Sequence, residues 1–164
     1  MAKKKKMKPK KKYYHGFYQV KNIDKYIGNP KKCFFRSKWE YFFMIYCDNT
    51  DSIKRWSSES ITIPYQDEKG KYHRYIPDFL IERIDKNDPM RFDRVIIEVK
   101  PYKETQKPMK PVKQTLQALK NYEYQLKTFQ KNLFKWSRSK DWAKKNGYMF
   151  VIMTEKHLKS NNIM

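Results

Sequence analysis

Ile76-Pro77-Asp78-Phe79 and Val95-Ile96-Ile97-Glu98-Val99-Lys100 are the two segments that decide the fold of this chain. Each has the residue types of a β-strand, and 19 residues lie between Asp78 and Glu98. Glu98 and Lys100 are two positions apart, so on a strand their side chains point to the same face. The sequence therefore predicts two adjoining strands that bring Asp78, Glu98 and Lys100 together near the end of a sheet.

Two carboxylates that converge in this way are costly unless a cation lies between them. Mg²⁺ is the natural ion, because it takes one or two carboxylates together with phosphate oxygens and water, and Mn²⁺ is a possible substitute. Lys100 is placed to orient or deprotonate an attacking water and to stabilise the charge that develops on a phosphate. This is the equipment for phosphodiester hydrolysis. The alternative is that Glu98 and Lys100 form an exposed strand pair and Asp78 is a solvated residue near a turn.

The elements before this pair are predicted from capping and periodicity. Ser37-Lys38-Trp39-Glu40 fits a capping box, in which the serine caps the helix and Glu40 reaches back, so a helix is expected to begin there. Strands are expected at residues 60–65, 72–83 and 92–100, joined by short turns as an antiparallel meander.

The elements after the pair complete the pattern. Apolar residues at helical spacing predict an amphipathic helix over residues 112–136, and a second short helix is expected over 139–146 with Gly147 as its C-cap. Residues 148–153 read as a last strand. The expected order is αβββαβ with one added helix, an α/β fold with a mixed, mainly antiparallel sheet flanked by helices.

The composition restricts the class of partner. The 164 residues include 38 Lys or Arg and 17 Asp or Glu, a formal net charge of +21. Such a charge favours nucleic acid, because each neutralised phosphate releases a counterion, although abundant lysine is also typical of an AT-rich genome. The longest strongly apolar run, residues 41–47, is far shorter than the roughly 20 residues of a membrane helix. Cys33 and Cys47 lack the spacing of a zinc site or a disulfide framework.

The chain length predicts one domain with an N-terminal extension. Residues 1–12 contain eight lysines and no acid, and we expect them to form a disordered tail. Residues 13–34 read as an irregular arm, and residues 35–158 as the folded domain. The charge outside the tail is still strongly positive, so we expect the domain itself to bind a polyanion.

The segment from Pro77-Asp78 to Glu98-Val99-Lys100, together with the αβββαβ order, resembles the PD-(D/E)XK nuclease superfamily. The resemblance implies a restriction-endonuclease-like core and a metal-dependent endodeoxyribonuclease, with Asp78 and Glu98 as metal ligands and Lys100 as a catalytic residue. An acidic residue on the first core helix often joins the metal site in that superfamily, and Glu40 matches it by position. The capping box remains an equal explanation for Glu40.

Flanking segments resemble more narrowly the head completion nucleases of T-even-like tailed phages and the TnsA-type endonucleases. These segments are Phe35–Glu40, Trp56–Glu59, Ile63–Tyr65, His73–Tyr75, Pro77–Phe79, Glu98–Pro101 and Val151–Glu155. The resemblance implies action on packaged DNA ends during virion assembly. It also implies double-stranded DNA and phage head, neck or packaging proteins as partners, and a location in the virion or the host cytoplasm.

Candidate DNA contacts surround the acidic site in the sequence. Arg74 lies shortly before Asp78, and four lysines follow the Glu98 strand. These are Lys103, Lys107, Lys110 and Lys113, which we expect to track phosphates. Lys120, Lys127, Lys131 and Lys135 are expected to cover the polar face of the long helix.

Two alternative functions do not require Asp78, Glu98 and Lys100 to be catalytic. The chain could be a structural DNA-binding component of the phage head or neck that needs no catalysis. It could also be a general basic nucleic-acid-binding protein, in which case the Asp78 to Lys100 spacing is a coincidence. Loss of cleavage after substitution of these residues separates an enzyme from both.

Overall fold

A four-stranded sheet forms the centre of the computed structural model, which describes residues 14–85 and 87–164. The tail predicted at residues 1–12 lies outside this part of the chain. The strands are β1 (Gly16–Phe17), β2 (Phe34–Phe35), β3 (Ile53–Ser58), β4 (Ile63–Gln66), β5 (Tyr72–Tyr75), β6 (Phe79–Ile84), β7 (Phe92–Val99) and β8 (Met149–Met153). The central sheet has the order β3-β6-β7-β8, in which only the β7–β8 pair is parallel. β1 pairs with β2, and β4 with β5, in two separate small sheets.

Three α-helices flank the central sheet: α1 (Lys38–Asn49), α2 (Leu116–Lys145) and α3 (Glu155–Ser160). Single turns of 3₁₀-helix occur at Ile23–Lys25, Pro30–Lys32 and Tyr102–Thr105. The order α1, β3, β6, β7, α2, β8 confirms the predicted αβββαβ fold with a mixed, mainly antiparallel sheet. The β4–β5 hairpin is an insertion between its first two strands.

The first core strand differs from the prediction. The predicted strand at residues 60–65 corresponds to β4 in the hairpin, whereas the first strand of the central sheet is β3. In β3 the register shifts between Ile53 and Arg55, so its buried residues do not alternate regularly. A bulge of this kind hides a strand from a search for period-two hydrophobicity.

The strand predicted at residues 72–83 is divided in two. β5 ends at Tyr75 and belongs to the hairpin, and β6 starts at Phe79 and belongs to the central sheet. Pro77 lies in the break, where its missing N–H interrupts a ladder. The division places Asp78 directly before the first residue of a central strand.

Helix α2 replaces two predicted helices. The division expected near residues 137–138 does not occur, and one helix of 30 residues runs from a Thr115 N-cap to Gly147, which has a positive φ of 75°. Ser139 lies within this helix, where its hydroxyl donates to the Lys135 carbonyl. A serine that bonds back one turn in this way is accommodated without ending a helix.

The first half of α2 is less buried than its apolar stripe predicts. At 1.5 Å per residue the helix is about 45 Å long, whereas β8, against which it packs, has only five residues. Leu116 is 81% exposed, and Val112, which precedes the helix, is 99% exposed. Only the second half of α2 buries side chains completely, namely Trp136, Ser139 and Ala143.

Each face of the central sheet carries its own hydrophobic core. On one face Phe43 of α1 and Leu158 of α3 pack with Trp56 and Phe79. On the other face Trp136 of α2 packs with further side chains of β4, β5 and β7, namely Ile63, Tyr75 and Ile96. Alternation along β7 places Glu98 on the same face as Ile96, towards α2. The candidate site residues therefore lie on the α2 side of the sheet.

The segment before α1 is folded onto the domain through a buried carboxylate. Asp48 is fully buried and accepts hydrogen bonds from the Tyr18 hydroxyl at 2.8 Å and from the backbone N–H groups of Lys21 and Asn22 at 2.8 and 3.0 Å. Three donors satisfy a carboxylate that would otherwise be costly to bury. Within the described residues, no helix is both long and apolar enough to cross a membrane.

Candidate active site

Asp78 and Glu98 lie side by side across the β6–β7 ladder. Phe79 pairs with Ile97, so Asp78 stands opposite Glu98 just beyond the end of β6. The Asp78 Oδ2 atom accepts a 2.7 Å hydrogen bond from the Val99 N–H. The Glu98 side chain is 3% exposed. The structure therefore brings together the two carboxylates that the sequence paired.

Lys100 lies on the same face as Glu98, as its spacing predicted. Its Nζ atom is 3.1 Å from the Glu98 Oε1 atom, and its side chain is 27% exposed. Its backbone N–H donates to the Met153 carbonyl at 2.8 Å, which holds the residue at the end of β8. An ammonium group is thus fixed beside the carboxylate pair and still reaches solvent.

The surroundings of Asp78 and Lys100 shift the protonation of both groups. Burial, followed by the charge of Glu98, raises the pKa of Asp78 to about 7, although the Val99 N–H and Lys100 act in the opposite direction. Burial lowers the pKa of Lys100, but Glu98 and Asp78 together outweigh that effect and raise it. Lys100 therefore remains protonated. A charged Lys100 is suited to orient a water molecule or stabilise a phosphate rather than to act as a base.

The donor set at this pair is compatible with a hard divalent cation. The Glu98 Oε2 atom is buried and has no hydrogen-bond partner within the described residues. Burial and, after it, repulsion from Glu98 raise the pKa of Asp78, and a cation between the two carboxylates would relieve that repulsion. Carboxylate oxygens are the ligands that Mg²⁺ and Mn²⁺ prefer. Asp78 and Glu98 are thus the residues of this chain best fitted to hold such an ion.

Glu40 is held by the start of α1. Its Oε1 atom accepts from the Ser37 hydroxyl at 2.8 Å, its Oε2 atom accepts from the Arg36 N–H at 2.8 Å, and the Ser37 Oγ atom accepts from the Glu40 N–H. Ser37 caps the helix as predicted, but Glu40 reaches back to the Ser37 hydroxyl and the Arg36 N–H instead of the Ser37 N–H that a capping box uses. Glu40 is near enough to Asp78 to contribute to the raised pKa of that residue. Across residues 14–85 and 87–164, however, no three His, Cys, Asp or Glu side chains are grouped as metal ligands.

Lys135 is the site residue that the sequence did not reveal. The helical pattern placed it on the outer, polar face of α2, but its side chain is only 17% exposed and turns towards the sheet. Its Nζ atom lies 3.9 Å from the Glu98 Oε1 atom and 4.1 Å from the centroid of the Tyr75 ring. No periodicity signals this position, because it depends on how α2 crosses β7 and the β4–β5 hairpin. The prediction of a polar surface lysine was wrong for this residue.

Two further polar groups accompany Lys135. The Tyr75 hydroxyl and the Trp136 Nε1 atom are buried and, like the Glu98 Oε2 atom, lack a hydrogen-bond partner within the described residues. Burial and the neighbouring Glu98 carboxylate raise the pKa of Tyr75 far above its usual range. Tyr75 therefore stays a neutral hydroxyl beside the carboxylate.

The predicted DNA contacts lie outside the cluster formed by the two carboxylates and the two lysines. Arg74 is exposed on β5, adjacent to the inward-facing Tyr75. The four lysines after β7 are all exposed, namely Lys103, Lys107, Lys110 and Lys113. Two of them, Lys103 and Lys107, line a groove between the 102–109 segment and α2, which has a volume of about 710 Å³. The structure leaves all five cations free to meet a ligand in solution.

Two residues near the site have structural contacts. The Glu59 carboxylate accepts from the Arg36 guanidinium at 2.6 Å, and the Glu59 N–H donates to the Asp78 carbonyl at 2.9 Å. His73 lies 2.7 Å from Asp67 in the turn of the β4–β5 hairpin. Glu59 thus supports the backbone of Asp78, and His73 fastens the hairpin.

Comparisons with known proteins give one family model and one curated relative that are similar to this chain. The family model described as the TnsA-like endonuclease N terminal matches residues 50–155, which include Asp78, Glu98, Lys100 and Lys135. A protein named "Head completion nuclease" from Enterobacteria phage T4 is 39% identical over 148 residues, which are 90% of this chain and 95% of that protein. No solved structure shows a significant match.

Proposed function

The chain belongs to the TnsA-like endonuclease family, and from this premise we propose that it is a metal-dependent endonuclease that hydrolyses phosphodiester bonds of double-stranded DNA. The observation that carries the proposal is the buried Asp78–Glu98 pair with Lys100 3.1 Å from Glu98. A formal charge of +21 fits a polyanionic substrate, because counterion release favours its binding.

Each residue has a distinct part in the proposed reaction. Asp78 and Glu98 would hold Mg²⁺, and Mn²⁺ would be able to replace it. The bound ion would polarise the scissile phosphate and lower the pKa of a water molecule. Lys100 remains protonated, orients the attacking water and stabilises the negative charge that develops on the phosphate. Glu40 supports the site from the start of α1 through its charge.

Plasmid cleavage tests this proposal directly. We expect the wild-type protein to nick or linearise supercoiled plasmid with Mg²⁺ and not with EDTA. Asp78→Asn and Lys100→Met should reduce the rate by at least about 100-fold. Asp93→Asn is the matched control, because it removes an acid from β7 that pairs with Arg83 instead. Undiminished cleavage by a clean Asp78→Asn preparation would overturn the site assignment.

The biological setting follows from the name of the phage T4 relative. We propose that the chain acts on packaged DNA ends during virion assembly, together with phage head, neck or packaging proteins, in the virion or the host cytoplasm. An infection in which this chain is the sole source of the activity tests the role. The Glu98→Ala, Lys100→Ala double variant should produce fewer infectious particles than the wild-type chain. If the double variant complements fully, the chain is a structural component that needs no catalysis.

A further inference from the structure

Helix α2 directs a second ammonium group at the carboxylate pair. Lys135 and Lys100 both approach the Glu98 Oε1 atom, at 3.9 Å and 3.1 Å. One of them, Lys100, already supplies a close counter-charge to Glu98. Lys135, which is more distant from Glu98 and less exposed than Lys100, is therefore not needed as the counter-charge of Glu98.

The surroundings of Lys135 hold its charge without using its hydrogen bonds. The ammonium lies 4.1 Å from the Tyr75 ring centroid, a cation–π contact that supplies attraction but no acceptor oxygen. Within residues 14–85 and 87–164, the Lys135 Nζ atom makes no hydrogen bond, and 3.9 Å to Glu98 is too long for one. An ammonium has three N–H donors, so those of Lys135 are available to a ligand.

The desolvation of Lys135 has a cost that the Glu98 contact only partly offsets. The Lys135 side chain is only 17% exposed, and the Glu98 Oε1 atom 3.9 Å from its ammonium is already paired with Lys100 at 3.1 Å. A half-buried lysine that served only as a surface charge would extend into solvent instead. Tyr75 and Glu98 thus hold the Lys135 ammonium beside the same carboxylate oxygen that Lys100 approaches.

The charge balance indicates the ligand class. The two carboxylates and the two lysines are close to neutral together. A divalent cation on Asp78 and Glu98 would leave a surplus of positive charge among these groups. A phosphate group of nucleic acid carries the negative charge and the acceptor oxygens that match such a surplus.

We propose that Lys135 forms a phosphate-binding subsite, in which its ammonium donates to a non-bridging oxygen of the DNA phosphate that lies against Glu98. The proposal rests on the proposed nuclease function for the identity of the ligand. It adds a residue from α2 to the substrate contacts, on the side of Glu98 that faces Tyr75. Lys135 then holds the strand, while Lys100 acts at the reacting atoms.

Binding of a fluorescent 20-base-pair duplex in EDTA tests the subsite without any cleavage. The affinity of the full chain is measured by anisotropy between 50 and 200 mM salt, and the slope of log K against log salt counts the phosphate contacts. Lys135→Met keeps the length of the side chain and a favourable contact with Tyr75. It should reduce the slope by about 0.9 and weaken binding by about fivefold to tenfold at 0.1 M salt.

The control removes the same charge from the same helix. Lys144 is exposed in the last turn of α2, and Lys144→Met should leave the slope unchanged. Lys135→Arg should retain the slope, since the cation is preserved. Circular dichroism and thermal unfolding show whether each variant is folded, and Lys135→Gln replaces Lys135→Met in the comparison if the methionine variant is not.

A second background separates a phosphate contact from a counter-charge to Glu98. If Lys135 binds phosphate, Lys135→Met should reduce the slope by the same amount in the Glu98→Gln protein. An effect that disappears in that background would mean that Lys135 acts only by neutralising Glu98, and the inference would be wrong. An unchanged slope in both backgrounds would also overturn it.

Plasmid cleavage measured alongside keeps the two proposals distinct. Wild-type protein that cleaves with Mg²⁺, combined with an unaltered slope for Lys135→Met, rejects the subsite alone. Wild-type protein that never cleaves, combined with a reduced slope, rejects the nuclease and retains Lys135 as a phosphate contact.

Discussion

Asp78 is bound to the backbone of the residue that separates the other two members of the site, because its Oδ2 atom accepts from the Val99 N–H at 2.7 Å. Glu98 and Lys100 flank Val99 in β7, so one hydrogen bond fixes the aspartate relative to both. The acidic pair is therefore rigid, and its repulsion is part of the folded state. We therefore expect stability, the proposed metal binding and the proposed cleavage to respond to the same few atoms.

The protonation of Asp78 predicts a pH dependence of stability in metal-free protein. Its pKa is raised from the ordinary aspartate value of 3.8 to about 7 in the folded chain, so the folded state binds more protons between these values. The free energy of unfolding should therefore fall as pH rises from 5 to 8. Asp78→Asn should remove up to about 2.7 kcal/mol of this loss, because about two pKa units of the shift lie above pH 5, at 1.36 kcal/mol per unit. Urea unfolding in EDTA at pH 5 and pH 8 measures it.

The control for this experiment is Asp93→Asn on the neighbouring strand β7. Asp93 is ion-paired with Arg83 and lies at the other end of β7, so its substitution should leave the pH dependence as in wild type. Equal loss of stability between pH 5 and pH 8 in wild type and Asp78→Asn would show that Asp78 is not the titrating group.

A divalent cation should stabilise the folded chain at pH 8. If Mg²⁺ binds between Asp78 and Glu98 as proposed, it relieves their repulsion and binds only the folded chain, so the unfolding temperature should rise with its concentration. At 100 times the dissociation constant the gain is about 2.7 kcal/mol. Scanning calorimetry of wild type, Glu98→Gln and Asp93→Asn should show the shift in the first and third only. A wild-type curve that ignores both Mg²⁺ and Mn²⁺ contradicts the metal site.

The two explanations of Glu40 give opposite outcomes for two substitutions. Ser37→Ala removes the cap and should cost about 1 kcal/mol of stability, with little change in the cleavage rate. Glu40→Gln retains a capping-box side chain but loses the negative charge near Asp78. It should change stability by less than about 0.5 kcal/mol and slow cleavage by about tenfold to 100-fold.

Unfolding curves and single-turnover cleavage of the two variants provide the comparison. A Glu40→Gln protein that cleaves at the wild-type rate limits Glu40 to the capping of α1.

The lysines that follow β7 should carry part of the non-specific affinity for DNA. Replacing all four with glutamine should lower the salt slope by up to about 3.6, at 0.9 for each phosphate contact, and leave thermal stability nearly unchanged because the side chains are exposed. These are Lys103, Lys107, Lys110 and Lys113. Duplex binding at several salt concentrations provides the measurement.

An equal loss of charge elsewhere is the control for the loop lysines. Four exposed lysines distant in sequence from the 103–113 segment serve this purpose: Lys54, Lys69, Lys71 and Lys159. If both quadruple variants reduce the salt slope equally, the lysines of the 103–113 segment do not bind DNA phosphates in preference to other exposed lysines.

The pairing of Asp78 with Glu98 was predictable because it depends on local rules. Strand periodicity places Glu98 and Lys100 on one face, and the short turn after β6 makes an antiparallel neighbour of the segment that follows Asp78. The start of α1 was predictable for the same reason, because the spacing of Ser37 and Glu40 is typical of a helix N-terminus. These features are encoded within a few residues of one another.

What escaped prediction depends on distant parts of the chain. The bulge between Ile53 and Arg55 breaks the alternation that identifies a strand, so β3 was missed. Lys135 has the sequence context of a surface lysine, and only the crossing of α2 over the sheet turns it inward. The contact between Tyr75 and Lys135 was also missed, because β5 belongs to the separate β4–β5 hairpin and meets α2 only in the folded chain.

The parallel pairing of β8 with β7 sets the order in which a growing chain becomes competent. Lys100 donates its N–H to Met153, and Lys135 comes from the helix between them. A chain still attached to the ribosome, with Asp78, Glu98 and Lys100 already made, has neither its neighbouring strand nor its second lysine. The proposed catalytic centre is therefore completed only when β8 has emerged, and a growing chain that still lacks β8 should not cleave nearby DNA.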